Sequence, residues 1–309
     1  MQFSAVGWLT RQTASNKGST ARASRQGRPA ARFVPSSRRN GVEPQDAVHP
    51  DFSLTVSIFP SLQRNYAFLV HERISRETVV IDPHDAGPMI ALARAQGLKI
   101  SHVFNTHHHN CAGNLALKRA TGCTIHGPAA EADRIAGIDV AYKGGESFSL
   151  GRLEGQILSV PGHTIGHIAL WFPAAATLFC GDTLTPLGCG YLTDGTPQEM
   201  WASLDRIRHL PPETLIYSGF ECALPNGRFA LSIDRKNLWL QTRMKRIEEA
   251  CKAGRATVPT KLEDEHVTNP FLRVDDPRLA LALGMVDAAP IEVFTELRRR
   301  RDSFHYLPN

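Results

Sequence analysis

The sequence has no long apolar run, no paired cysteines and no acidic residue in its first 42 positions. None of its apolar runs approaches the roughly 18 uninterrupted residues that a membrane-spanning helix needs, so we expect a soluble protein with no membrane partner. The six cysteines form neither a CxxC pair nor a framework spacing, which excludes a disulfide scaffold and predicts a reducing compartment.

The positive charge of the chain is concentrated in residues 1–42. This segment contains eight basic side chains, and because the whole chain has a formal net charge of +5, residues 43–309 sum to −3. The folded part therefore offers no basic face for a nucleic-acid partner. An arginine-rich, acid-free N-terminus is typical of an organelle transit peptide, and equally of a disordered extension or of translation from an upstream start codon. If residues 1–42 are a transit peptide, we expect a mitochondrial or other organelle-matrix location, and otherwise a cytoplasmic one.

The 309-residue chain is long enough for one large domain or two modest ones. Its first part alternates short β-branched or aromatic runs with turns. The predicted strands are 54–58, 66–70, 78–81, 102–105, 124–126, 156–160, 167–172 and 177–180, with one predicted helix at 88–96. Beyond Thr196, breaks containing proline or glycine separate the helical patterns 197–209, 228–253, 276–283 and 290–301. This pattern predicts a sandwich-like α/β domain followed by a small helical domain.

Candidate metal ligands follow three of the predicted strands. His107 and His109 come after one strand, His163 after a second and Asp182 after a third. Because sites in open α/β sheets form at the carboxyl ends of strands, we expect these side chains to meet at one edge. Three imidazoles and a carboxylate suit Zn²⁺ or Fe²⁺. A bound zinc ion lowers the pKa of its water to about 7 and polarises a carbonyl, which predicts hydrolysis of an ester, thioester or lactam.

The remaining histidines in or near these strands have no such pattern. We expect them to be hydrogen-bonded structural residues, and they are His102, His108, His126, His167 and His209.

Motifs spread over about residues 54–304 resemble the hydroxyacylglutathione hydrolase (glyoxalase II) family of the metallo-β-lactamase fold superfamily. They are Thr106–His109, Pro161–His167, Gly181–Leu184, Gly188–Gly190, Asp194–Thr196, Tyr217–Glu221, Thr268–Arg273 and Arg298–Phe304. The resemblance implies an α/β fold, with a metallo-β-lactamase-like αββα sandwich at 51–215. A C-terminal helical, glutathione-binding-like domain follows at 216–309, and residues 1–50 form a disordered or targeting extension.

The resemblance also implies a two-metal site of which one half is retained. His107, His109, His163 and Asp182 match the ligands of the first metal. If Asp182 closes a four-coordinate site, no position remains open, whereas a five-coordinate ion keeps a water.

At the second metal, the three positions of the family's own ligands are occupied by Cys111, Ala112 and Phe220. The segment His109–Asn114 is also two residues shorter than its family counterpart. A Cys111 thiolate is a good zinc ligand, but no histidine supports it at the matching positions. We therefore predict one metal at most, Zn²⁺ or alternatively Fe²⁺, and a lost second site.

The family's five glutathione contacts are retained only in part. Tyr191, Thr193 and Cys222 stand where the family has other side chains, whereas Arg298 and Arg301 match the last two contacts. Being three residues apart, these arginines share a helical face and are suited to a substrate carboxylate. The alternative is a solvated basic helix end.

Three functions follow from the resemblance. The first is a thioester hydrolase that converts an S-2-hydroxyacylglutathione, such as S-lactoylglutathione, to glutathione and a 2-hydroxy acid, with reduced activity. Asp182 is its catalytic residue, since it holds the ion whose water attacks the carbonyl. The second is a non-catalytic relative, or pseudoenzyme, that binds a metal or a glutathione-like thiol or thioester. The third is a mononuclear iron sulfur dioxygenase, because such enzymes of the superfamily hold iron through the equivalents of His107, His163 and Asp182.

Overall fold

The computed structural model describes residues 45–48, 54–61 and 64–304, with only the backbone described for 45–48. The predicted extension at 1–50, with the transit peptide at 1–42, therefore lies outside the described residues, apart from that one short backbone segment. Within the described ranges, no helix has the length and apolar composition that crossing a bilayer requires.

The first sheet contains seven strands in chain order. They are β1 (Gln45–Val48), β2 (Leu54–Pro60), β3 (Tyr66–Glu72), β4 (Glu77–Ile81), β5 (Lys99–Phe104), β6 (Thr124–Pro128) and β7 (Val140–Tyr142). The pairs from β1 to β4 are antiparallel, and those from β4 to β7 are parallel. The parallel half places the carboxyl ends of β4, β5 and β6 at one edge, where the loop after β5 carries the first two candidate ligands.

The second sheet has six strands, and a short ribbon adjoins it. In chain order, the strands are β8 (Ser147–Leu150), β9 (Leu153–Ser159), β10 (Ile168–Phe172), β11 (Thr177–Gly181), the ribbon β12 (Leu184–Thr185) and β13 (Gly188–Cys189), then β14 (Leu215–Ser218) and β15 (Thr260–Lys261). The sheet order is β15-β14-β11-β10-β9-β8. The loops after β9 and β11 carry the other two candidate ligands.

Eight α-helices complete the described part of the chain. They are α1 (Gly87–Gln96), α2 (Asn114–Thr121), α3 (Pro197–Arg208), α4 (Ala223–Ile233), α5 (Leu238–Lys252), α6 (Leu262–Thr268), α7 (Pro277–Leu283) and α8 (Pro290–Asp302). Local sequence explains several of their ends. Helix α3 begins at a capping box between Thr196 and Glu199, with Pro197 in its first turn. Helix α1 ends at Gly97, whose φ of 65° suits a residue without a Cβ.

The two sheets pack face to face, and helices cover their outer faces. Between the sheets, Phe68 contacts Phe179 and Tyr217 with ring centroids 5.3 and 5.5 Å apart. Each such buried side chain contributes roughly 1.5–3 kcal/mol of hydrophobic stabilisation. Helices α1 and α2 pack on the first sheet, and α3 and α8 belong to the core that covers the second. This layering confirms the predicted αββα sandwich with a C-terminal helical region.

The prediction of one helix over 228–253 is wrong. Helix α4 starts earlier, at Ala223, and ends at Ile233, and α5 starts at Leu238. The Asn237 side chain accepts a hydrogen bond from the backbone N–H of Leu240, and so caps a new helix. The sequence pattern also did not predict the short strands β7, β8 and β12 to β15. The domain boundary between residues 215 and 216 stays a prediction.

Candidate metal centre and the adjoining cavity

Three histidines meet at the edge where the strands end. His107 follows β5, His109 lies in the single turn His108–Asn110, and His163 follows β9. One ring nitrogen of each lies within 4.8 Å of the others, and no other such cluster of three possible ligands occurs in the described ranges. Nδ1 of His109 is 3.1 Å from Nε2 of His163. Two nitrogens bound to one tetrahedral zinc ion lie about 3.3 Å apart. The spacing therefore fits a shared cation.

Asp182 adjoins this cluster from the loop after β11. Its Oδ2 lies 3.6 Å from Nε2 of His163, and its buried Oδ1 has no hydrogen-bond partner among the described residues. Burial raises the pKa of Asp182, while the neighbouring His163 acts in the opposite direction. A buried carboxylate oxygen without a partner is costly, so this group fits a site that takes up a cation.

Two of the histidine rings are oriented by hydrogen bonds on the side away from the cluster. The hydroxyl of Thr106 donates to Asp82 and lies 3.0 Å from Nδ1 of His107, from which it can accept. Nδ1 of His163 lies 2.8 Å from the carbonyl oxygen of Tyr191. Both bonds place the ring proton on Nδ1 and leave Nε2 with a free lone pair. Nε2 of His107 is buried and has no partner in the part of the chain that is described.

Electrostatics favour neutral rings in this cluster. Burial lowers the pKa of His107 well below its usual value, and the neighbouring histidines lower it further. His109 is exposed, but partial desolvation of its ring and the neighbouring His108 lower its pKa to about 4. Because a metal binds the neutral imidazole, neither ring has to lose a proton near neutral pH before binding.

The histidines expected to be structural have hydrogen-bond partners elsewhere. His108 bonds the Glu131 carboxylate at 2.7 Å, and Nε2 of His167 accepts the backbone N–H of Asp182 at 3.2 Å. His102 and His126 bond each other at 3.0 Å. His209 lies 2.6 Å from a carbonyl oxygen of its own helix.

The three residues that the sequence analysis placed at a second metal have other surroundings in the structure. The thiol of Cys111 donates to the carbonyl oxygen of His108 at 3.1 Å, and its side chain packs against the apolar cluster beneath α1 and α2. Ala112 has no donor atom in its side chain. Phe220 presents an apolar ring to the adjoining cavity. The alternative of a zinc-binding Cys111 thiolate therefore has no support in this geometry.

A cavity of about 420 Å³ opens beside His163 and Asp182. The residues that line it include Arg298 and Arg301, which the sequence analysis assigned to substrate binding, and two of the three altered contact positions, Tyr191 and Cys222. Besides His163 and Asp182, the lining residues are Arg64, Thr185, Cys189, Gly190, Tyr191, Phe220, Cys222, Pro225, Asn226, Arg298, Arg301 and Phe304. Thr193 is not among the lining residues; its backbone N–H instead donates to the carbonyl oxygen of His163.

Arg298 and Arg301 point inward from α8. Arg298 is 3% exposed and donates to the carbonyl oxygens of Cys189 and Gly190 at 3.1 and 3.3 Å. Arg301 donates twice to Oδ1 of Asn226, at 3.1 Å each. The reading of a solvated basic helix end is therefore wrong for these two residues, although Arg299 is such a residue, since it is paired with Glu296 on the surface.

Sequence reasoning missed several residues around the site. Arg64 and Asn226 line the cavity, and Glu131 accepts a hydrogen bond from the backbone of His108, between the candidate ligands His107 and His109. None of these three residues lies in a sequence motif that indicates a function. Asn226 carried one usable signal, because it lies one helical turn after Cys222.

Comparison with known proteins agrees with this geometry. The family model described as metallo-beta-lactamase superfamily matches residues 62–219, and that described as hydroxyacylglutathione hydrolase C-terminus matches 221–304. A hydroxyacylglutathione hydrolase of Methylococcus capsulatus is 47% identical over 253 residues, covering 81% of this chain and 99% of the relative. The chain belongs to the hydroxyacylglutathione hydrolase family.

Other relatives extend the comparison. A hydroxyacylglutathione hydrolase of Cereibacter sphaeroides is 45% identical over 247 residues, covering 79% of this chain and 97% of that protein. Among solved structures, ETHE1 from Myxococcus xanthus superposes with a TM-score of 0.56 at 21% identity, covering 81% of this chain and 99% of that one. A metallo-beta-lactamase from Staphylococcus aureus gives a TM-score of 0.56 at 18% identity, covering 80% of this chain and 71% of that one. These two structures share the fold. The family predicted from the sequence motifs is thus confirmed, and it lies in the metallo-beta-lactamase superfamily.

Proposed function

We propose that this protein is a thioester hydrolase that acts on an S-2-hydroxyacylglutathione with a single metal ion held by His107, His109, His163 and Asp182. One observation carries the proposal: two unpartnered buried atoms, Nε2 of His107 in the histidine cluster and Oδ1 of the adjoining Asp182, lie beside a cavity lined by arginines. Zinc is the proposed ion, and iron the alternative.

The chain's own residues prepare this site for a cation. Hydrogen bonds on Nδ1 fix the rings of His107 and His163, so that both Nε2 atoms face the cluster. Asp182 supplies the negative charge and an oxygen ligand. When bound, the ion polarises the thioester carbonyl and lowers the pKa of water. Since Cys111, Ala112 and Phe220 supply no second set of ligands, we propose one ion per chain and reduced activity.

The charge of the cavity supports an anionic thiol substrate. Arg64, Arg298 and Arg301 line it, and Asp182 is the one carboxylate among its lining residues, all of which are described. Arg298 is also paired at 2.6 Å with Asp302, which does not line the cavity. Nε of Arg298 is buried and, within the described chain, has no hydrogen-bond partner. A carboxylate of glutathione placed against this guanidinium would accept a charge-assisted hydrogen bond. We therefore propose a glutathione-like thiol as the leaving group.

The loss of second-site ligands supports a different candidate, a non-catalytic relative that binds the thiol alone. Phe220 fills a ligand position with an apolar ring, and three of five glutathione contacts have changed. Thioester turnover separates the two candidates.

The test is hydrolysis of S-lactoylglutathione by the purified protein, with the metal content of the same sample determined by elemental analysis. We expect turnover with about one ion per chain. His107→Ala should lower kcat/KM by on the order of 100-fold or more, because it removes a ligand. His209→Ala is the matched control, since its side chain is 70% exposed and it lies outside the cluster. A rate that His107→Ala leaves unchanged contradicts metal-dependent hydrolysis, and no turnover with bound thiol supports the non-catalytic candidate.

A further inference from the structure

Glu131 lies in the segment Ala129–Arg134, between β6 and β7, and is 0% exposed. Its two carboxylate oxygens accept three hydrogen bonds. Oε2 accepts from the backbone N–H of His108 at 2.8 Å and from its Nδ1–H at 2.7 Å. Oε1 accepts from the backbone N–H of Gly166 at 3.0 Å. One buried side chain thus joins two separate loops.

Both of these loops carry candidate metal ligands. His108 stands between His107 and His109, so fixing its backbone and ring fixes the backbone from which both ligands project. Gly166 comes three residues after His163, in the loop that ends at β10. The Glu131 carboxylate therefore sets the position of the first loop relative to the second, and with it the spacing of the three rings.

The packing around Glu131 is close on the side of the second loop. A Cβ added at Gly166 would lie 2.6 Å from Cγ of Glu131. Glycine at this position therefore allows the carboxylate to reach the backbone. The glutamate and the glycine form one unit, in which a larger residue at 166 would displace the side chain that joins the loops.

The charge of Glu131 is compensated within the protein. Burial acts to raise its pKa, but the side chain of Thr164 and then the hydrogen bonds from His108 outweigh it and hold the pKa below its ordinary value. The carboxylate is thus ionised at neutral pH. Three N–H donors directed at a buried carboxylate make the strong, charge-assisted class of hydrogen bond, which suits a group that has to hold two loops rigidly.

We infer that Glu131 is a positioning residue of this site: by joining the loop of His107 and His109 to the loop of His163, its carboxylate sets the geometry in which the three imidazoles receive a metal ion. The inference rests on the proposed metal site. It adds a residue that does not line the cavity and that acts through its neighbours, without touching the substrate or the reacting atoms.

The test is titration of the metal-free full-length protein with Co²⁺, whose visible absorption spectrum reports the coordination geometry. In Glu131→Gln, one acceptor oxygen becomes an NH₂ donor that faces an N–H donor. We expect the dissociation constant for Co²⁺ to rise about 10- to 100-fold, the usual effect of losing a group that orients a ligand, and the absorption bands to shift. Asp133→Asn, an exposed acidic residue of the same segment, is the matched control and should change neither quantity.

Kinetics supply a second readout. Because Glu131 lies outside the cavity, Glu131→Gln should lower kcat for S-lactoylglutathione while KM stays within about twofold. A merely structural role would lower the melting temperature and the folded fraction, but would leave the cobalt spectrum and the activity per bound ion unchanged, and that result would overturn the inference.

If Glu131→Gln does not fold, His108→Ala takes its place, since it removes one of the three bonds and leaves both backbone bonds. It should shift the cobalt bands in the same direction and weaken binding severalfold. An unchanged spectrum and affinity in a folded variant would overturn the role of Glu131 alone. A wild-type protein that binds no Co²⁺ would overturn the proposed metal site itself, so the two failures are distinguishable.

Discussion

Replacing Asp182 with asparagine should stabilise the metal-free protein and, at the same time, weaken the stabilising effect of zinc. Oδ1 of Asp182 is buried without a partner among the described residues, and Oδ2 is 3.6 Å from a histidine nitrogen. Burial raises the pKa of this carboxyl group, against the opposing effect of His163. Above that pKa, the metal-free fold contains a poorly compensated negative charge, which asparagine removes.

The gain for the metal-free variant near pH 8 comes from removing the charge, and should be about 1.4 kcal/mol for each unit by which burial raises the pKa of Asp182. In a protein of this size, 1 kcal/mol shifts the melting temperature by roughly 2–4 °C. The sign depends on pH. Because the folded pKa is raised, the contribution of this carboxyl group to stability is fully present below its unfolded pKa of about 3.9. It is lost as the pH rises through the folded pKa. The advantage of asparagine should therefore disappear near pH 4 and below.

Zinc should act in the opposite direction. At a free concentration of 1,000 times its dissociation constant, a ligand stabilises a fold by about 4.1 kcal/mol. If the loss of the charged oxygen weakens binding about 100-fold, the same zinc concentration stabilises the variant by only about 1.4 kcal/mol. The zinc-bound variant should thus lose most of the shift in melting temperature that the wild-type protein shows.

Differential scanning calorimetry measures both effects, in chelator and in zinc near pH 8, and in chelator alone near pH 4. Asp133→Asn serves as the control, because this exposed carboxylate lies outside the histidine cluster. A metal-free Asp182→Asn protein that melts below the wild-type protein, or one that keeps the full zinc shift, would refute the assignment of Asp182 as a buried cation ligand.

Two further predictions concern the cavity and the number of ions. Arg298→Lys should raise KM for S-lactoylglutathione about tenfold with kcat within about threefold, because an ammonium group cannot reproduce the planar fork of a guanidinium. Arg299→Lys is the control and should change neither quantity, since Arg299 is 66% exposed and paired with Glu296. Equal KM values for Arg298→Lys and the wild-type protein in steady-state kinetics would argue against substrate binding by Arg298. Phe220→His alone should leave elemental analysis at about one ion per chain, because Cys111 and Ala112 still supply no partner ligands, and two ions in this variant would contradict a lost second site.

The candidate metal ligands were predictable because each follows a recognisable strand. His107, His109, His163 and Asp182 stand at strand ends, and the topology of a two-sheet sandwich brings such ends together. The layering of the fold was predictable for the same reason, since the alternation of strands and helices is a local pattern. That residues 1–42 form a transit peptide stays a prediction.

Other features depend on contacts between distant residues. Glu131 bonds residues 23 and 35 positions away, and no local pattern marks it. Cys111 was a possible ligand in the sequence, but its thiol bonds the carbonyl oxygen of His108, three residues earlier, and its side chain packs against the apolar cluster. The break between α4 and α5 was missed because the residues around Asn237 continue a helical pattern of apolar spacing, which a single capping side chain interrupts.

The peptide Cys189–Tyr191 connects the loop of His163 to the last helix. Its first two carbonyl oxygens accept from Arg298 in the last helix, and the third accepts from the His163 ring. A shortened version that stops after the second sheet would retain all four candidate ligands, yet one of them would lose the support behind its orienting carbonyl. The C-terminal region, which a separate family model matches, therefore contributes to the alignment of the imidazole as well as to the cavity that we propose for the thiol.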